Sequence, residues 1–301
     1  MTAFSLPSFA KLNLALRITG RRKDGFHELV TLFERIDLKD TLTFSPLNTK
    51  EIRMTCTHPG VPCDERNLVY KVARLLQEKY HVRQGAKIHI QKRIPVAAGL
   101  AGGSSNAATA LLGLNRLWGL GLARKELLLL AAKVGSDVAF FLYDASWAIG
   151  TGRGEKIKIL DLPRNFHHCL VTPRITLLTP EVYGVYRDRF ARVRGKTSWA
   201  GSVDSLTKVN DDVRILICSL RKSDVKGAGK NLMNDLEPAI ITLEPRLKEL
   251  KTKLLKEEVA GVAFSGSGPS IFALAFTRRA ALRLKKKYAP RYAQTFVVKT
   301  Q

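Results

Sequence analysis

From Pro95 to Ser105 the chain reads Pro-Val-Ala-Ala-Gly-Leu-Ala-Gly-Gly-Ser-Ser, and Asn106-Ala-Ala-Thr-Ala-Leu-Leu then opens a helix. Few folds accommodate such a run. Gly99, Gly102 and Gly103 let the backbone turn tightly and approach a ligand with no Cβ in the way. The helix start beyond them offers unpaired N–H groups and the positive end of its dipole, which suits phosphate oxygens. Ser104 or Ser105 is a natural N-cap, and either hydroxyl can equally face a phosphate or Mg²⁺. Small residues also pack a helix tightly against a sheet, so the loop alone leaves both readings open.

The uncharged stretch from Ile94 to Asn115 is as long as a membrane span, which takes about 20 apolar residues. It contains Pro95, four glycines, two serines and two asparagines, and its first half is a loop. A helix over about 105–118, apolar on every face and enclosed by protein, accounts for it better. The N-terminus, Met-Thr-Ala-Phe-Ser, lacks a basic region followed by an apolar run. A soluble, cytoplasmic protein with no membrane partner is expected.

A chain of 301 residues can bury a large core and suffices for two domains. Cys56, Cys63, Cys169 and Cys218 form no C-x-x-C pair and read as reduced packing residues. His167 and His168 are adjacent, so in a strand they face opposite sides and make a poor metal site. The net charge is +24, and Arg278–Gln301 holds eight Lys/Arg and no acid. Nucleic-acid binding and a solvated basic surface that favours anionic substrates both fit this charge. The charge is spread along the chain with no zinc-finger spacing, so the second reading is preferred and no specific nucleic acid is expected.

Phe9–Ile18 alternates, with Leu12, Leu14, Leu16 and Ile18 on one face and Lys11, Asn13, Ala15 and Arg17 on the other. This predicts a strand with an apolar and a polar side, from which Lys11 and Asn13 project together. Asn67 is placed to cap a helix striped by Leu68, Val72, Leu75 and Leu76. A strand over 87–94 feeds the glycine loop, and a second helix is predicted over Arg124–Val134. Asp137 follows at the edge of an apolar turn. Two strands are expected over 147–160, another over 170–178, and a helix from Pro180. Residues 195–230 read as loop-rich around a short helix near 211–221. Pro238 sits at the favoured first position of a helix predicted to run to Glu257. The domain boundary falls near 160.

A strand lysine, a phosphate cradle and an aspartate together suit phosphoryl transfer, which needs charge neutralisation, in-line positioning and a group to take the acceptor's proton. At these residues the chain resembles the GHMP kinases (galactokinase, homoserine, mevalonate and phosphomevalonate kinases). Pro95–Ser105 is similar to their phosphate motif, and Ser265-Gly-Ser-Gly-Pro-Ser270 to their C-terminal glycine motif. Ala10-Lys-Leu-Asn-Leu14, Gly20–His27, Leu100–Ala108, Gly135-Ser-Asp-Val138 and Asn231–Glu237 resemble the branch acting on 4-diphosphocytidyl-2-C-methyl-D-erythritol. The match runs from about residue 8 to 276.

The resemblance implies a two-domain α+β GHMP kinase fold. Residues 1–162 would form an N-terminal ribosomal-protein-S5-domain-2-like α/β domain, and 163–301 a C-terminal ferredoxin-like α+β domain. It implies ATP-dependent phosphorylation of that substrate's 2-hydroxyl in the non-mevalonate route to isoprenoids, with Asp137 as general base and Lys11 as its partner. Pro95, Val96, Ala97, Ala98, Gly99, Leu100, Ala101, Gly102, Gly103, Ser104 and Ser105 would hold the ATP phosphates, and Asn67 and Lys92 the adenine side. Phe26, His27 and Tyr183 would hold the cytosine, with Asn13 on the substrate side. Mg²⁺ is expected with ATP, Ser105 being its candidate ligand, and the protein is expected as a monomer or homodimer. Phe26 stands where tyrosine is commoner, Ala139 where proline is usual, and Asp144-Ala-Ser-Trp replaces a glycine pair. A kinase for another small alcohol is the first alternative, but Gly25-Phe-His27 argues against it because mevalonate and homoserine offer no base to stack. A basic nucleic-acid-binding protein on this scaffold is the second.

Overall fold

The computed structural model describes residues 2–191 and 211–301. It packs as two compact units that interleave along the chain. The first takes Met1–Ala10, Leu38–Val96 and Ala101–Asp144, and the second Lys11–Asp37, Ala97–Leu100 and Ala145–Gln301. Two long strands, β1 (Phe4–Arg21) and β2 (His27–Leu47), contribute to both.

In the first unit β2 pairs with β4 (Gly85–Gln91) antiparallel, Thr41 opposite Gln91, and β3 (Ile52–Cys56) adds to β4 in parallel. The alternation of Leu42 and Phe44 with Ile88 and Ile90 lays one apolar face against α1 (Leu68–Lys79) and α2 (Gly102–Leu117). Asn67 caps α1 as expected, accepting from the Val69 amide at 2.9 Å. The helix α3 spans Arg124–Val134, and a single turn, α4 (Val138–Phe141), follows. The helix α2 starts at Gly102, earlier than the residue near 105 expected, because Ala101 rather than a serine is its N-cap.

In the second unit β2 pairs antiparallel with β5 (Trp147–Gly152), which pairs with β6 (Lys156–Leu160). A separate antiparallel sheet runs in the order β11-β7-β10-β9, from β7 (His167–Thr172), β9 (Gly261–Phe264), β10 (Ile271–Ala275) and β11 (Gln294–Lys299). Fully buried Glu34 on β2 and His168 on β7 meet at 3.0 Å, and Thr300 donates to the same carboxylate at 2.7 Å. The helices are α5 (Thr179–Val185), continued by a π-helical turn over Tyr186–Phe190, α6 (Asp211–Arg221), α7 (Val225–Lys230), α8 (Glu237–Leu243), α9 (Arg246–Leu255) and α10 (Arg278–Tyr288).

Several expectations are corrected. The strand expected over Phe9–Ile18 is longer, Phe4–Arg21, and Ala10–Leu16 are buried on both its apolar and its polar side. The strand expected over 170–178 is β7, because the chain turns at Pro173. The single helix expected from Pro238 to Glu257 breaks at Pro245, which lacks a backbone N–H and disfavours helix in the residue before it. A two-residue strand, β8 (Met233–Asn234), pairs in parallel with β1 at Ala15 and Leu16. Residues 195–210 of the expected loop lie outside the described residues; the short helix expected beyond them is α6. All four cysteines are free, and among the described residues no helix is long and apolar enough to cross a membrane. On α10, Arg283 and Lys287 pair with Glu258 and Glu257 at 2.9 and 2.6 Å.

One close contact fixes α2 against β2. A Cβ on Gly113 would stand 2.4 Å from the ring of Phe44. Glycine to alanine inside a helix normally gains about 1 kcal/mol, whereas overpacking a core costs about 1–3 kcal/mol. Gly113→Ala is therefore expected to lower the urea midpoint of unfolding, and a raised midpoint would contradict this packing.

Candidate active site

The loop between β4 and α2 is wound by alternate residues. Ala97, Gly99 and Ala101 have φ of +50°, +74° and +54°. An alanine in that region costs about 1–2 kcal/mol, and such strain persists where the surroundings over-determine the backbone. Gly99 provides the reason. A Cβ there would lie 2.1 Å from the carbonyl oxygen of Ser265 and 3.0 Å from that of Gly268, so the loop and the C-terminal glycine turn meet backbone to backbone. No side chain caps α2, which leaves the amides of its first turn to face an anion. Pro95, Ala98, Leu100, Gly102 and Ser105 are buried, whereas Val96, Ala97 and Gly103 are exposed.

In the first unit the base of this loop is held by a buried carboxylate that the sequence reading did not single out. Asp40 accepts from Lys92 Nζ at 2.6 Å, from the amides of Arg93 and Ile94 at 2.7 and 2.8 Å, and from Asn106 Nδ2 at 2.9 Å. Asn106 Nδ2 also reaches Ser8 Oγ at 2.8 Å, and Ser8 donates to Ser105 Oγ at 2.8 Å. Lys92 is thus committed to Asp40, and both Asn67 ends are used locally, its Nδ2 donating to the Pro62 carbonyl at 2.7 Å. Asp40 offers one sequence signal: an acid among the alternating apolar residues of a strand needs a partner when buried. Asp137 stands at the N-terminus of α4 with its carboxylate not used as a cap.

In the second unit Lys11 and Asn13 come together. Both are 3% exposed, and Lys11 Nζ donates to Asn13 Oδ1 at 2.5 Å and to the Gly99 carbonyl at 3.3 Å, with the Phe33 ring 5.5 Å away. Ser265 Oγ donates to the same Gly99 carbonyl at 2.9 Å and accepts from the Asn13 amide at 3.4 Å. Asn234 Nδ2 bridges the carbonyls of Phe264 and Gly266 at 3.0 and 2.7 Å, fixing the glycine turn. Beside it Asp235 pairs with Arg17 at 2.8 Å. Ser265 and Asn234 lie in motifs visible in the sequence, yet nothing local says what they touch.

His27 and Tyr183 also meet. Their rings are 5.1 Å apart, and Tyr186 stands edge-on to His27 at 6.0 Å. Phe26 is half exposed, and the Arg153 guanidinium lies 4.8 Å from its ring. Burial, reinforced by the charges of Arg21 and Arg187, holds the His27 imidazolium below the usual histidine range.

Residues 67–145 match the N-terminal domain of GHMP kinases, and 216–294 their C-terminal domain. A 4-diphosphocytidyl-2-C-methyl-D-erythritol kinase of Acaryochloris marina is 38% identical over 284 residues, 93% of this chain and 90% of that protein. One from Thermosynechococcus vestitus is 41% identical over 269 residues, covering 88% and 85%. The chain belongs to this branch of the GHMP kinase family. A crystal structure of 4-(cytidine 5'-diphospho)-2C-methyl-D-erythritol kinase matches with a TM-score of 0.79 at 31% identity, covering 98% of both chains. Homoserine kinase from Cytophaga hutchinsonii, 21% identical with a TM-score of 0.71, shares the GHMP fold.

The His27 environment has a measurable consequence. Its ¹H NMR titration is expected to have a midpoint below the reference 6.5. The unfolded chain then binds a proton that the folded chain refuses, so this contribution to stability is present above pH 6.5 and is lost as pH falls. A midpoint above 6.5 would contradict the burial and the two facing arginines.

Proposed function

We propose that this chain transfers the γ-phosphoryl group of ATP to the 2-hydroxyl of 4-diphosphocytidyl-2-C-methyl-D-erythritol, giving the 2-phosphate and ADP. The observation that carries the reading is the buried Lys11 ammonium held against the Gly99 carbonyl of the phosphate loop. An ammonium fixed at that carbonyl stands beside the backbone that would receive polyphosphate, where its charge stabilises the transferring group. Asp137 is assigned as general base. It takes the proton of the 2-hydroxyl as the oxygen bonds to the γ-phosphorus and the bond to the β,γ-bridging oxygen breaks, releasing ADP. Lys11 is assigned as the partner of Asp137 and offsets charge on the transferring group.

The loop Pro95–Ser105 holds the ATP phosphates through backbone amides, with Asn67 and Lys92 on the adenine side. Those two act there through the shape that they give the first unit, because their polar groups are engaged in it. Phe26, His27 and Tyr183 take the cytosine, and neutral His27 suits an uncharged ring. Mg²⁺ enters with the nucleotide in this reading. Ser105 is its candidate protein ligand, although its hydroxyl already accepts from Ser8. Residues 1–162 carry the phosphate loop and the Lys/Asp pair as one domain, and 163–301 the glycine turn as another. The enzyme works in the cytoplasm, where ATP is supplied, as a monomer or homodimer.

The test is ADP release with an acceptor panel. The cytidyl diphosphate is expected to be turned over, mevalonate and homoserine are not, and CMP is expected to compete with the acceptor. Asp137→Ala should lower kcat by about 10²–10⁴-fold, the range of general-base contributions. Turnover of mevalonate or homoserine with no competition by CMP would favour another small-alcohol kinase, and native turnover by Asp137→Ala would remove Asp137 from the chemistry.

A further inference from the structure

We infer that Thr31 is a positioning residue for the phosphoryl transfer, orienting Lys11 through the side-chain amide of Asn13. This rests on the proposed role of Lys11. Thr31 lies on β2 opposite Gly150 of β5 and is 1% exposed. A Cβ at Gly150 would stand 3.1 Å from the Thr31 methyl, so the methyl fills that space and holds the hydroxyl on the side of β1.

The hydroxyl has one proton, and it goes to the Ala15 carbonyl at 2.7 Å. A carbonyl cannot donate, so this bond has only one direction. Towards Asn13, Thr31 can therefore only accept, and Asn13 Nδ2 donates to it at 2.8 Å. With its nitrogen on Thr31, the amide turns Oδ1 to Lys11, which donates to it at 2.5 Å. The reversed amide would place NH₂ against the ammonium and an oxygen against lone pairs. The Asn13 backbone is held separately by Ser265, so the chain of polarity runs through the side chain alone. Thr31 thus selects one of two amide orientations and keeps the ammonium both charged and aimed. Its removal leaves a buried ammonium short of an acceptor, which disfavours the charged form.

The test uses the full-length enzyme with Thr31→Val, Thr31→Ala, Thr31→Ser and Lys11→Met, each with a thermal melt. Losing the hydroxyl, as in Thr31→Val and Thr31→Ala, should lower kcat about 10–100-fold. KM for ATP should stay within about threefold, and the alkaline limb of the kcat–pH profile should move to lower pH. Thr31→Ser restores the hydroxyl and should recover kcat to within about threefold of native. Should Thr31→Val fail to fold, the serine and alanine variants, which differ only in the hydroxyl, decide. Equal kcat in those two, a native pH profile in Thr31→Val, or loss of folding in both Thr31→Val and Thr31→Ala would overturn the inference. Lys11→Met separates the two levels: if it keeps near-native kcat, the reading of Lys11 fails and the role of Thr31 falls with it. A Lys11→Met variant that is inactive beside a native-like Thr31→Val overturns Thr31 alone.

Discussion

The contact of Gly99 with Ser265 and Gly268 is the constraint on which the site depends. Two glycine turns 166 residues apart, from Gly99 to Ser265, approach so closely that there is no room for a Cβ at Gly99. Several polar side chains of the second unit are arranged around that meeting. Ser265 and Lys11 share the Gly99 carbonyl, Asn13 is held by Ser265 from one side and Thr31 from the other, and Asn234 fastens the turn from behind. The left-handed alanines at 97 and 101 fit this frame: their strain is sustained because the loop has nowhere else to go.

Buried charge is held differently at two places, one in each unit. In the first, Asp40 is neutralised by Lys92 and saturated by two amides and an asparagine, a closed arrangement suited to rigidity. In the second, the Lys11 ammonium donates to the Asn13 side-chain oxygen and to the Gly99 carbonyl. These bonds fix the ammonium at the phosphate loop, a fitting ground state for a group assigned to work on phosphate. The neutral ring of His27 beside Tyr183 and Tyr186 gives the other end of the site a different character, built for stacking rather than for charge.

Much of this was legible in the chain wherever the signal was local. Asn67 declares its cap, α3 its bounds, and the glycine loop its conformation, since each depends on residues within a few positions. The resemblance in motif order carried the family and fold. What escaped was set by distant partners. The strand β8 is two residues long and exists because β1 lies beside it. The Asp40 cluster draws on residues from 8 to 106, and the burial of β1 on both sides comes from elements far along the chain. The break of 237–257 at Pro245 is the exception, a local signal that the single predicted helix passed over.

The account comes down to which oxygen receives the phosphoryl group. The direct measurement is ³¹P and ¹³C NMR of the product formed from ATP and 4-diphosphocytidyl-2-C-methyl-D-erythritol. The account predicts a new phosphomonoester whose phosphorus couples to the quaternary C2 and its methyl carbon. A phosphate on any other hydroxyl, or ADP formed with no phosphorylated product, would contradict it.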